Sequence, residues 1–202
     1  KFMKVFLQTA STRSSRHRFP RRDPVRCCQT VTMFGRKDSR NGARFQLKEK
    51  LWSIGDDSWI LDDDGQRIFK VNGKALRIRR TLVIEPRGGG ELYKIQERKL
   101  RIKDTMVIET PDGATAATVK QKLISPIRHR MLAELADGSE LEITGNILDH
   151  EYEIKKGKQD VATVSKKWIR VRDTYGIEIL PGHDEALILA IAVCLDSMVG
   201  DD

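Results

Sequence analysis

The chain has 202 residues, 39% of them hydrophobic, and a formal net charge of +8, enough to bury the core of one domain with a tail. Residues 1–32 hold eight Lys or Arg and one Asp, which leaves 29 basic and 28 acidic residues in the other 170, so the basic character belongs to the tail and the body is nearly neutral. The three cysteines, Cys27, Cys28 and Cys194, fit neither a disulfide framework nor a metal site. No stretch reaches the roughly 20 apolar residues of a membrane helix.

The tail, residues 1–44, mixes Arg, Ser and Thr with almost no acid, as in Thr12-Arg-Ser-Ser-Arg-His-Arg18. Three readings fit it: a disordered extension, an organelle transit peptide, or an arm that grips nucleic acid or lipid. The domain is expected over 45–200. From Leu47 onward, short alternations of apolar and polar residues predict five β-hairpins. Their turns fall at Asp62–Gly65, Gly88–Gly90, Asp112-Gly113, Asp137-Gly138 and Lys156-Gly157.

A repeat links these segments. Leu76-Arg-Ile-Arg-Arg-Thr-Leu-Val-Ile-Glu85 returns as Leu100-Arg-Ile-Lys-Asp-Thr-Met-Val-Ile-Glu109 and as Ile169-Arg-Val-Arg-Asp-Thr-Tyr-Gly-Ile-Glu178. Strand alternation predicts Leu76/Ile78, Leu100/Ile102 and Ile169/Val171 on an apolar face, with Arg77/Arg79, Arg101/Lys103 and Arg170/Arg172 on the other. Those six cations form the first candidate patch for an anionic ligand. Arg128, His129 and Arg130, read as a loop between hairpins, form the second.

The longest apolar run, Ala186–Leu195, predicts a helix from about Asp184 to Val199, capped by Asp184. It is apolar on every face, so Leu187, Ile188, Leu189, Ile191, Val193, Cys194 and Leu195 are expected inside a core. An antiparallel sheet curled into a closed or nearly closed barrel around this helix buries every apolar face and leaves no exposed edge.

Several of these segments also resemble a known family. They are Lys50-Leu-Trp-Ser-Ile-Gly-Asp-Asp-Ser-Trp-Ile60, the Leu-Arg-Ile-Lys-Asp-Thr repeats, Gly145-Asn-Ile-Leu-Asp-His-Glu-Tyr-Glu153, Arg170-Val-Arg-Asp-Thr-Tyr-Gly176 and Leu187-Ile-Leu-Ala-Ile-Ala-Val193. Together, from about Phe45 to Met198, they resemble the bacterial LURP-one-related proteins. The resemblance implies a mainly β, tubby-like fold, in which about twelve antiparallel strands close into a barrel around a hydrophobic C-terminal helix. It also implies a role at membranes, because tubby domains bind phosphoinositides and the scramblase-like proteins of the same fold act on phospholipids. Neither the headgroup-binding residues of tubby domains nor a calcium loop followed by a membrane helix is matched here.

Catalytic chemistry finds little support. Aligning Gly65 with the turn glycine of an EF-hand puts Ile60 and Val71 where carboxylate ligands belong. The four histidines are scattered, and there is no nucleophile elbow or phosphate-binding loop. The expectation is a non-enzymatic module without metal or cofactor, cytoplasmic or membrane-associated, that binds anionic phospholipid headgroups. The alternatives are a protein-interaction scaffold and a nucleic-acid binder acting through the tail.

Overall fold

The computed structural model describes residues 42–49, 58–73, 81–97, 105–122, 130–169 and 171–199. All lie in the second of the two units into which the chain divides, Phe34–Asp202. The strands are β1 (Ala43–Lys48), β2 (Ser58–Asp62), β3 (Arg67–Gly73), β4 (Thr81–Pro86), β5 (Tyr93–Glu97) and β6 (Thr105–Glu109). They continue with β7 (Thr115–Lys122), β8 (Arg130–Leu135), β9 (Glu140–Asn146), β10 (Glu151–Lys156), β11 (Gln159–Ser165) and β12 (Thr174–Ile179), and one helix, α1 (Glu185–Val199), follows.

Every strand pairs antiparallel with its neighbours in sequence, and β1 closes the ring against β12, from Ala43 opposite Ile179 to Lys48 opposite Thr174. The result is a closed barrel of twelve strands. All five expected hairpins are present. Register shifts at Ile60/Leu61, Ile108/Glu109 and Ile154/Lys155 bend the sheet near three of the turns. Ala43 and Arg44, assigned above to the tail, are part of β1.

Period-two alternation turns one face of each strand inward. Each strand supplies at least one fully or almost fully buried aliphatic residue, from Leu47 on β1 through Ile84, Ile108 and Ile143 to Ile177 on β12. The helix fills the space these residues enclose. Its residues 189–195 are each 0% exposed, which makes it a core element and not a surface one. Leu187, expected in the core, is only half-buried, in the first turn of the helix. Asp184 caps the helix: its Oδ1 accepts from Leu187 N at 3.0 Å, while Tyr93 donates to its Oδ2 at 3.2 Å. Among the strands, α1 lies closest to β5, β6 and β7, where Ala116 and Ala117 leave room for it.

The third repeat copy departs from expectation. Ile169, Val171 and Arg172 lie in no strand. Ser165 Oγ accepts from Lys167 N at 3.1 Å and nucleates a 3-10 turn over Lys166–Trp168, after which Ile169 is extended and Asp173 has φ 57°. Val171, expected on the inner face with Ile169, is 63% exposed. An apolar-basic alternation specifies a strand only where a neighbouring strand is in reach, and the capped turn diverts the chain first. The matching halves of the other two copies, residues 76–79 and 100–103, lie outside the described residues.

Candidate binding surface

A meander assigns its connections alternately to two ends. At one end, the turn end, lie the short links 63–66, 87–92, 110–114, 136–139 and 157–158 and the passage 180–184 into α1. At the other, the loop end, β1, β3, β5, β7, β9 and β11 finish and β2, β4, β6, β8, β10 and β12 begin. The links between these pairs hold fourteen Lys or Arg against six Asp or Glu: four cations in each of 74–80, 98–104 and 166–173, and one each at Lys50 and Arg128. The links of the turn end hold two cations against six acids. The helix runs from the turn end, where Asp184 meets Tyr93, to the loop end, where Asp196 meets His150, so its partly positive start lies at the end with the acidic turns.

The first candidate patch is distributed over these links. Arg77, Arg79, Arg101, Lys103 and Arg170 lie outside the described residues, as do Arg128 and His129 of the second. Arg172 is exposed beside the turn at Asp173. Arg130 is the first residue of β8 and not a loop residue; its Nη1 lies 3.3 Å from Glu142 Oε1 across the β8–β9 pair. That pairing reflects register, with Arg130 opposite Thr144.

Apolar exposure is also uneven. The exposed large hydrophobic side chains among the described residues are Leu148, Trp168, Val171 and Leu180, and the first three lie at the loop end. Trp168 is seated by Gly176, where a Cβ would come within 3.3 Å of its Cε3.

A groove of about 1000 Å³ opens on the outer wall between Leu148 and Trp168. Its floor follows from strand register. Arg130, Thr144, Glu153 and Thr163 stand opposite one another across β8–β11. Asn146 stands beside Glu151 in the next row, with Ser165 bonded to the same carboxylate. Short Thr and Ser side chains beside long Glu, Arg and Lys make the depression. Glu151 Oε1 accepts from Ser165 Oγ at 2.9 Å and Lys166 N at 3.1 Å, and its Oε2 lies 3.2 Å from Lys167 Nζ. Burial works to raise the Glu151 carboxyl, but the hydrogen bonds from Ser165 and Lys167 and the Lys167 charge together hold it below its ordinary value.

A buried polar cluster lies at the loop end of the core. His150 Nε2 lies 2.8 Å from Asp196 Oδ1 on α1, and the His150 ring stands 4.2 Å from that of Tyr175, all three buried. His150 reaches this position through φ 54°. The Tyr175 hydroxyl and His150 Nδ1 are buried without a hydrogen-bond partner. Burial first, then the Asp196 charge, push the Tyr175 hydroxyl well above its ordinary pKa. Neither the groove nor this cluster was anticipated, since both join residues far apart in the chain; His150 and Asp196 are 46 positions apart. Among the described residues, no group of His, Cys, Asp and Glu is placed to hold a metal, and no helix is long and apolar enough to cross a membrane.

The model of the LURP-one-related family matches residues 43–196, from the first strand to the buried Asp196. The chain belongs to the LURP-one-related family. A relative in Bacillus subtilis (strain 168), the uncharacterised protein YxjI, is 27% identical over 156 residues, covering 77% of this chain and 93% of that protein. The X-ray structure of a protein from Arabidopsis thaliana superposes with a TM-score of 0.59 at 18% identity, covering 78% of this chain and 91% of that one. At that identity the likeness concerns the fold. The LURP-one-related match thus spans the whole barrel and most of α1, including the groove and the His150–Asp196 pair.

Proposed function

We propose that this protein is a peripheral membrane module whose loop end docks on anionic phospholipid. The observation that carries the reading is that the exposed Leu148, Trp168 and Val171 share one end of the barrel with the exposed Lys167 and Arg172, and the sequence segments that join strands at that end are rich in Lys and Arg. Basic residues near an anionic leaflet contribute about 1 kcal/mol each, and half-exposed Trp side chains settle at the interface of headgroups and acyl chains. Cation and apolar anchor act together, as in other interfacial segments. Lys167, 81% exposed, and Arg172 flank the apolar residues and turn toward solvent.

Co-sedimentation of the full chain with phosphatidylserine-containing and neutral vesicles, at two salt concentrations, tests this. Trp168→Ala with Val171→Asp should reduce partition onto anionic vesicles by about tenfold, and Lys167→Glu with Arg172→Glu by a similar factor that shrinks at high salt. Binding that survives both double variants, but disappears when residues 1–32 are deleted, would assign the affinity to the tail and reject docking by the barrel.

A further inference from the structure

We propose that the groove on the outer wall of β8–β11 binds a phosphate ester that also carries an ammonium group. The charges in the groove are balanced and arranged. Arg130 stands at one rim and Lys167 at the other, while Glu151 and Glu153 occupy the floor between them. A plain anion would meet two carboxylates, and a plain cation two basic side chains, so neither suits the site as a whole. A ligand with both charges satisfies each part.

The remaining donors support this assignment. Arg130 meets Glu142 through one nitrogen at 3.3 Å, and a guanidinium offers five N–H groups, which leaves capacity for phosphate oxygens. Asn146, Thr144 and Thr163 supply neutral polar groups on the floor. Trp168, 47% exposed and lining the groove, offers its aromatic ring to an ammonium. Glu153, 54% exposed, meets Lys155 Nζ through Oε2 at 2.8 Å, and its second carboxylate oxygen is left to accept the ammonium. The volume of about 1000 Å³ is at the upper end for a small-molecule site and leaves room for whatever the phosphate is esterified to.

Two sources share this chemistry, a zwitterionic phospholipid headgroup and a free phosphocholine-like ester. The proposal takes from the docking model only the first of these as a candidate source; the site itself does not require a membrane. Titration of the full chain with phosphocholine, inorganic phosphate and choline, followed by tryptophan fluorescence and calorimetry, tests it. Phosphocholine should bind saturably, with phosphate alone and choline alone each weaker by tenfold or more. Glu153→Gln and Arg130→Gln should each weaken phosphocholine about fivefold without shifting the melting temperature. Inorganic phosphate binding as tightly as phosphocholine, or both variants binding it unchanged, would overturn the assignment. Phosphatidylcholine vesicles bound more tightly than free phosphocholine would support the lipid source, and the reverse order the free ester. Phosphocholine binding that persists while anionic vesicles are ignored would remove the docking model and leave the groove standing.

Discussion

Replacing Leu189 by alanine should be among the most damaging conservative changes available in this protein. Leu189 is 0% exposed at the middle of a run, 189–195, in which no side chain reaches solvent. The three carbons removed amount to about 2.4 kcal/mol of lost transfer free energy, at about 0.8 kcal/mol each. A cavity penalty adds to this. The surrounding wall is a hydrogen-bonded ring of twelve strands that cannot collapse inward without breaking its ladders, so the total belongs near the top of the measured range for such changes, about 4–5 kcal/mol. Urea denaturation followed by circular dichroism reads this as a midpoint lowered by about 1.5–2 M, with unchanged slope. Leu148→Ala, at 54% exposure, is the control and should stay within about 0.5 kcal/mol of wild type. A Leu189→Ala protein that loses less than about 1 kcal/mol would refute the enclosed helix.

Tyr175→Phe should be neutral or stabilising by up to about 2 kcal/mol, because it deletes a buried hydroxyl that has no partner and keeps the ring against His150; thermal unfolding that falls by several degrees would contradict this. Glu151→Gln should destabilise by about 1 kcal/mol or less at neutral pH, its partial exposure limiting the effect. The folded carboxyl titrates below its ordinary value of 4.5, so this contribution is full above about pH 4.5 and is lost as pH falls through the lower folded value. Urea midpoints of wild type and variant should therefore converge in acid, and a gap that widens there would reject the Ser165–Glu151–Lys167 tie.

The hairpins were legible because each is a local event: Asp-Gly or Gly-rich turns set the reversal and the flanking alternation chooses the buried face. The helix was legible from Ala186–Leu195 for the opposite reason, since uniform apolarity demands enclosure whatever surrounds it. Given both, closure of the sheet followed from the need to leave no edge. What escaped notice depends on register or on backbone exceptions. Ile169–Arg172 carries a strand pattern, yet Ser165 caps a turn just ahead of it. The start of β8 has no turn dipeptide to mark it, so the sequence pattern leaves Arg130 in a loop. The groove exists because Thr144, Glu153 and Thr163 align across three strands, an alignment visible only once the ladders are drawn. His150 meets Asp196 by adopting a backbone conformation uncommon for its residue type, which no sequence pattern announces.

The pairing of β1 with β12 has a consequence for how the chain reaches its native state. Arg44 and Glu178, joined across that seam, are 134 residues apart, whereas every other strand pair joins sequence neighbours. Hairpins can assemble as they leave the ribosome, but the ring has no final partner for its first strand until the twelfth has been made, and α1 follows later still. The helix must occupy the lumen before or while the seam closes, since a finished wall would shut it out. Folding should therefore divide into a fast phase of hairpin formation and a slow concerted step in which helix docking and closure occur together, with the open sheet between them exposing two edges to any other chain nearby.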